Sequence, residues 1–74
     1  MKDLYAKLAT ILEVDTVRPE DRLAGFDAWD SLSILSIVAM VGADFGVRMS
    51  AVDINQLATA GDLEKAILSR SPRA

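Results

Sequence analysis

The stretch Trp29-Asp30-Ser31-Leu32-Ser33-Ile34-Leu35-Ser36-Ile37-Val38-Ala39-Met40-Val41-Gly42-Ala43-Asp44-Phe45-Gly46 decides the fold. Asp30 is a favoured N-cap residue, because its carboxylate can accept from the unpaired N–H groups of a first helical turn. With Asp30 as cap, Trp29 and Ile34 fall at the two positions of a hydrophobic staple. Gly46 is a natural stop, since glycine enters the left-handed conformation that ends many helices. The stretch therefore predicts a helix from Asp30 or Ser31 to Asp44 or Phe45. On a helical wheel Ile34, Val38, Val41 and Phe45 share a face with Ile37 at its edge, and this stripe is predicted to meet the core. The other side holds Leu32, Leu35, Ser36, Ala39 and Ala43, all apolar or small. A helix without a charged face is either buried all round or docks something. Full burial is hard to arrange in 74 residues, so a partner-facing surface is the preferred expectation.

Working outward, Leu4, Leu8, Ile11 and Leu12 recur at helical spacing and predict a first helix over Asp3 to Leu12. Arg18-Pro19 then breaks helical continuity, since the residue before proline is pushed out of the helical region. Val14 to Trp29 reads as a long loop with a short turn at Pro19-Glu20-Asp21. Loops of more than about 12–15 residues are uncommon in compact domains and are often functional, although this one could simply cross a bundle. Downstream, Ser50-x-x-Asp53 signals a short third helix ending near Leu57. Thr59-x-x-Asp62 signals a fourth, with Leu63, Ala66 and Ile67 inward and Lys65 and Arg70 toward its carboxyl end. Ser71-Pro72-Arg73-Ala74 reads as a frayed tail. The expected fold is all-α: three main helices plus a short one, in a single domain over residues 1–74.

Composition narrows the chemistry. The chain is 51% hydrophobic but only 5% aromatic, so aliphatic side chains must fill the core. Cysteine and histidine are both absent. That removes thiolate nucleophiles, Ser-His pairs and the usual zinc ligands, and no residue is assigned a catalytic or metal-binding role. The net charge of −3 and the lack of a basic recognition helix argue against a nucleic-acid partner. Glu13 to Asp30 holds six acids and two bases, whereas Asp44 is the only charge between Ser31 and Val47. An acidic loop thus runs straight into an almost uncharged segment. Met1-Lys2-Asp3-Leu4-Tyr5 does not read as a secretory segment and no run reaches membrane-spanning length, so a cytoplasmic protein without membrane insertion is expected.

Asp30-Ser31-Leu32 by itself looks like ordinary capping. In its setting, the chain resembles the acyl carrier protein family over nearly its whole length. The likeness rests on Asp-Ser-Leu opening helix two after an acidic loop and on Phe45-Gly46 closing that helix. It continues through the extended Val47-Arg48-Met49, the short helix three, and Thr59-Ala60-Gly61-Asp62-Leu63 at the start of the last helix. The resemblance implies that Ser31 carries 4′-phosphopantetheine, transferred from coenzyme A by a phosphopantetheinyl transferase that recognises Asp30. It implies a monomeric carrier, not an enzyme, passing acyl or related groups as thioesters between activating and transferring enzymes. Two departures qualify it. Ala28 stands where glycine is common, followed by Trp29, which suits the staple and secondarily the arm or its cargo. The acids usual along helix two are replaced by Ser33, Ser36, Gly42 and Ala43. That points to a dedicated pathway whose enzymes meet Leu32, Leu35, Ser36 and Ala39, with Asp27 and Trp29 beside them. The alternatives are an aminoacyl or peptidyl carrier with the same arm, although the Gly-Gly-x-Ser pattern of peptidyl carriers is missing, and an unmodified helical adaptor.

Overall fold

The computed structural model describes residues 2–70; the expected tail at 71–74 lies outside them. Four α-helices follow one another: α1 (Lys2–Ile11), α2 (Ser31–Phe45), α3 (Ala51–Asn55) and α4 (Ala60–Arg70). A 3-10 turn, Leu23–Gly25, interrupts the long loop. Among the described residues there is no β-strand, only an isolated bridge between Arg22 and Thr59. No described helix is long and apolar enough to cross a membrane.

Leu4, Leu8 and Leu12 of the first helical segment meet Ile37 and Val41 of α2, Ile54 of α3, and Ala60, Leu63 and Ile67 of α4 in one apolar core. Leu23, Val47 and Met49 add the connecting segments to it. α2 is rotated relative to the expected stripe. Its fully buried residues are Ile37 and Val41, joined by Ser33, while Ile34, Val38 and Phe45 are only half-buried. Ser33, expected at the surface, is 6% exposed. A hydroxyl can occupy that position because its hydrogen bonds are met locally, as described below.

Each helix boundary has a chemical cause. α1 ends with Glu13 in the left-handed region at φ 58°. The Glu13 N–H donates to Thr10 O and the Val14 N–H to Ala9 O, the paired bonds of a Schellman motif built without glycine. α2 stops at Gly46, φ 67°, whose N–H donates to Val41 O. α3 is opened by Ser50, which accepts from the Asp53 N–H while the Asp53 carboxylate accepts from the Ser50 N–H. Thr59 and Asp62 repeat this exchange at α4. α3 ends at Asn55, two residues before the expected Leu57.

The long loop is fixed to the start of α4 rather than merely crossing the bundle. Leu23 N–H donates to Ala58 O, Ala60 N–H to Asp21 O, and Gly61 N–H to Pro19 O at 2.8 Å. A β-carbon at position 61 would lie 3.0 Å from the Pro19 carbonyl oxygen, so glycine permits this approach. The bonds to Ala58 and Ala60 are made by Leu23 and Asp21, at and just before the start of the 3-10 turn, which the sequence reading did not anticipate. From there Phe26 N–H donates to Leu23 O and Trp29 N–H to Phe26 O, delivering the chain to the start of α2.

Candidate functional site

The site is the amino-terminal end of α2. Asp30 is extended (φ −149°, ψ −177°) and caps the helix, its carboxylate accepting from the Ser33 N–H at 2.9 Å. Ser33 answers with both functions of its hydroxyl. The oxygen accepts from the Asp30 N–H and the proton goes to the Asp30 carbonyl, each at 2.9 Å. This double exchange locks the turn on either side of Ser31 and satisfies the buried hydroxyl. Residue 33 was read as a surface position, and the missed signal is Asp-x-x-Ser, a capping box with serine in the place of the usual Glu or Gln.

Ser31 is therefore the first residue of α2, exposed and held from both sides. Among the described residues its hydroxyl has no hydrogen-bond partner. The first-turn N–H groups of Ser31 and Leu32 have no intrahelical acceptor, and a fifteen-residue helix places its positive dipole end here. An anion esterified to the Ser31 oxygen would meet these donors, a gain of about 0.3–1 kcal/mol. The Asp30 carboxylate opposes it, so Asp30 serves the fold through capping and not the holding of a phosphate.

Two depressions flank Ser31. The larger, about 500 Å³, lies between α2 and α3. Trp29, Ile34 and Leu35 form one wall and Val52 the other, with Asp30 and Asn55 as polar members and Ser31 itself at the edge. On the other side, Leu32 and Ser36 line a smaller depression with Glu13 and Ala28. Asp27 lines the next one along, also with Glu13 and Ala28. The expected partner-facing residues thus divide around Ser31. Trp29 and Leu35 turn toward α3, whereas Leu32, Ser36 and Asp27 lie toward the end of α1. Leu32 is 72% and Leu35 56% exposed, Ala39 is exposed, and Ser36 and Trp29 are half-buried. The structure adds Val52, 65% exposed, and Asn55. Neither was singled out in the sequence, because only the packing of α3 beside α2 places them at the site. A signal was available in Val52 itself, an apolar residue two places from the inward Ile54 on a five-residue helix.

The face is also electrically quiet. Asp44, the lone charge of α2, pairs with Lys7 of α1 at 3.1 Å. Asp53, the lone charge of α3, pairs with Arg70 of α4 at 3.4 Å. The Ser50 N–H and hydroxyl, with the Arg70 guanidinium, hold the Asp53 carboxyl below the ordinary aspartate range.

Over residues 2–67 the chain matches the family model of the phosphopantetheine attachment site, and it belongs to that family. It is a phosphopantetheine carrier, not a catalyst, and its covalent cofactor is 4′-phosphopantetheine. The fold is that of acyl carrier proteins. It superposes with a TM-score of 0.74 on the solution NMR structure of the holo acyl carrier protein from Geobacter metallireducens, at 20% identity, covering 92% of this chain and 80% of that one. No curated protein sequence matches the chain.

Proposed function

We propose that Ser31 is the attachment residue and that the chain, as one carrier domain, delivers acyl groups to the enzymes of a dedicated biosynthetic pathway of the fatty-acid or polyketide kind. The observation that carries this is the state of the three serines of α2. Ser31 is exposed with a free hydroxyl at the helix start, Ser33 is buried with its hydroxyl committed twice, and Ser36 is half-buried within the helix. Of the three, only Ser31 is exposed, at the helix start, where a transferase meets its hydroxyl directly. The Ser31 oxygen attacks the β-phosphorus of coenzyme A; the bond to the 3′,5′-ADP portion breaks and the hydroxyl proton passes to a base of the transferase. The arm then supplies a terminal thiol that holds acyl groups as thioesters, which a chain lacking cysteine cannot supply itself.

The partner enzymes meet a surface of exposed leucines, and the one acid of helix two, Asp44, is paired with Lys7, so docking rests on shape and apolar contact around Leu32, Leu35 and Ala39. Asp27 and Asp30 supply the acidic approach, Asp30 as the transferase's recognition residue. We place the protein in the cytoplasm as a monomer. Incubation with coenzyme A and a broad-specificity phosphopantetheinyl transferase tests the assignment by intact mass. The wild type gains one phosphopantetheinyl group and Ser31→Ala gains none; an unmodified wild type, as an adaptor would be, removes the proposal.

A further inference from the structure

We infer that Ser33 is a positioning residue for the loading of Ser31. Its hydroxyl holds residue 30 so that the unbonded carboxylate oxygen of Asp30 and the Ser31 hydroxyl meet the transferase as one fixed pair. This rests on the carrier reading above, with Ser31 as attachment residue and Asp30 as recognition residue, and deepens it. Asp30 uses its two carboxylate oxygens unequally. Oδ1 accepts from the Ser33 N–H at 2.9 Å, whereas Oδ2 has no partner among the described residues and the residue is exposed. One oxygen thus holds the helix start, and the other is left for a donor or cation of the transferase.

The backbone of Asp30 is held as firmly. Its N–H donates to the Ser33 hydroxyl oxygen, and its carbonyl accepts from that hydroxyl at 2.9 Å and from the Ile34 N–H at 3.0 Å. That carbonyl belongs to the planar peptide unit joining Asp30 to Ser31. Two bonds on one oxygen fix the plane, so Oδ2 and the Ser31 hydroxyl are carried in a set relation. Ser33 itself is 6% exposed with its hydroxyl committed twice, so a transferase does not read it directly. Its effect passes through Asp30. Without the hydroxyl the Asp30 N–H loses its acceptor, its carbonyl keeps one bond of two, and the turn samples other arrangements. A transferase that requires one arrangement then finds only a fraction of the chains in it. That raises KM for the carrier by the inverse of the fraction and leaves kcat in place.

The test is steady-state transfer from coenzyme A by a broad-specificity transferase, on full-length variants shown by circular dichroism to be folded at the assay temperature. Ser33→Ala should raise KM about tenfold, as for a competent fraction of about one tenth, with kcat within about twofold of wild type. Ser33→Thr keeps the hydroxyl and should recover the wild-type KM. Gly46→Ala, destabilised at the far end of α2, should also keep it, which separates positioning from lost stability. Asp30→Asn should raise KM, and adding Ser33→Ala to it should raise KM no further, since no free carboxylate oxygen remains to be positioned. Amide exchange at residue 30 should quicken in Ser33→Ala, a readout independent of the transferase. A wild-type KM in Ser33→Ala or in Asp30→Asn overturns the inference, as does unchanged exchange at residue 30. So does an equal rise in Gly46→Ala, no recovery in folded Ser33→Thr, or a further tenfold rise in the double variant. A wild type that gains no phosphopantetheinyl mass removes the carrier assignment instead, and this inference with it.

Discussion

Replacing Asp30 and Ser33 one at a time separates the two halves of the device that holds Ser31. In Asp30→Ala the Ser33 N–H loses its acceptor, and removal of such an N-cap costs about 1 kcal/mol, within a range of 0.5–2. In Ser33→Ala the Asp30 N–H loses its partner beside a buried methyl group, again about 1 kcal/mol. The two losses involve different atoms. The Asp30 side chain bonds to the backbone of residue 33, and the Ser33 side chain bonds to the backbone of residue 30. Each bond can form without the other, but both close the same turn, so the double variant should lose near 2 kcal/mol with a coupling of about 0.5 kcal/mol, the low end for residues that share one network. In a domain whose net stability is on the order of 3–5 kcal/mol that is a large share. Each single change should lower Tm by about 4–8 °C. Asp30→Asn keeps an oxygen acceptor and should cost only a few tenths of a kcal/mol, so a loss of transferase efficiency in that variant reports recognition and not capping. Urea unfolding followed by circular dichroism measures all four variants. Wild-type stability in Asp30→Ala, or coupling as large as a single effect, would refute the reasoning.

Other expectations follow from single positions. Gly46→Ala meets no atom within 4 Å at the new β-carbon, so its cost is the left-handed backbone alone, about 1 kcal/mol in urea unfolding. Glu13→Gly relieves the same strain at the end of α1 and should raise stability by up to about 1 kcal/mol in the same assay. The Tyr5 hydroxyl donates to Glu64 at 2.6 Å; burial first, then that bond and the Glu64 charge, push its pKa from 10.0 to about 12. The folded chain therefore holds this proton more tightly than the unfolded one. The contribution is complete below pH 10 and is lost as pH rises toward 12, and Tyr5→Phe should cost about 1 kcal/mol at neutral pH and flatten that alkaline loss. Asp53 runs the opposite way: its lowered pKa makes α3 lose support as pH falls through the acid range, which amide exchange at Ile54 should detect.

The helix boundaries were legible because local chemistry sets them. Asp30, Gly46, Ser50-x-x-Asp53 and Thr59-x-x-Asp62 each act within a few residues of chain, and each acts where the pattern placed it. The rotation of α2 was not legible. A helix with apolar residues on every side has no polar face to set its phase, and the buried Ser33 depends on a local bond pair that a hydropathy wheel does not register. Glu13 was missed because a left-handed cap built on a charged residue carries no glycine to mark it. The 3-10 turn sits in a segment tied to residues 58–61, more than thirty positions away in sequence. The same distance in sequence hid half of the larger depression beside Ser31. Ser31, Trp29 and Leu35 could be read from one stretch, but Val52 and Asn55 join them only once α3 packs beside α2.

The central claim is that Ser31, among the serines of α2, carries the arm. Proteolysis of the transferase-treated chain followed by fragment-ion mass spectrometry across Asp30–Ser36 locates the modification directly. The account predicts the phosphopantetheinyl mass on Ser31, with Ser33 and Ser36 unmodified. The same mass on Ser33 or Ser36, or on a residue outside α2, would contradict it.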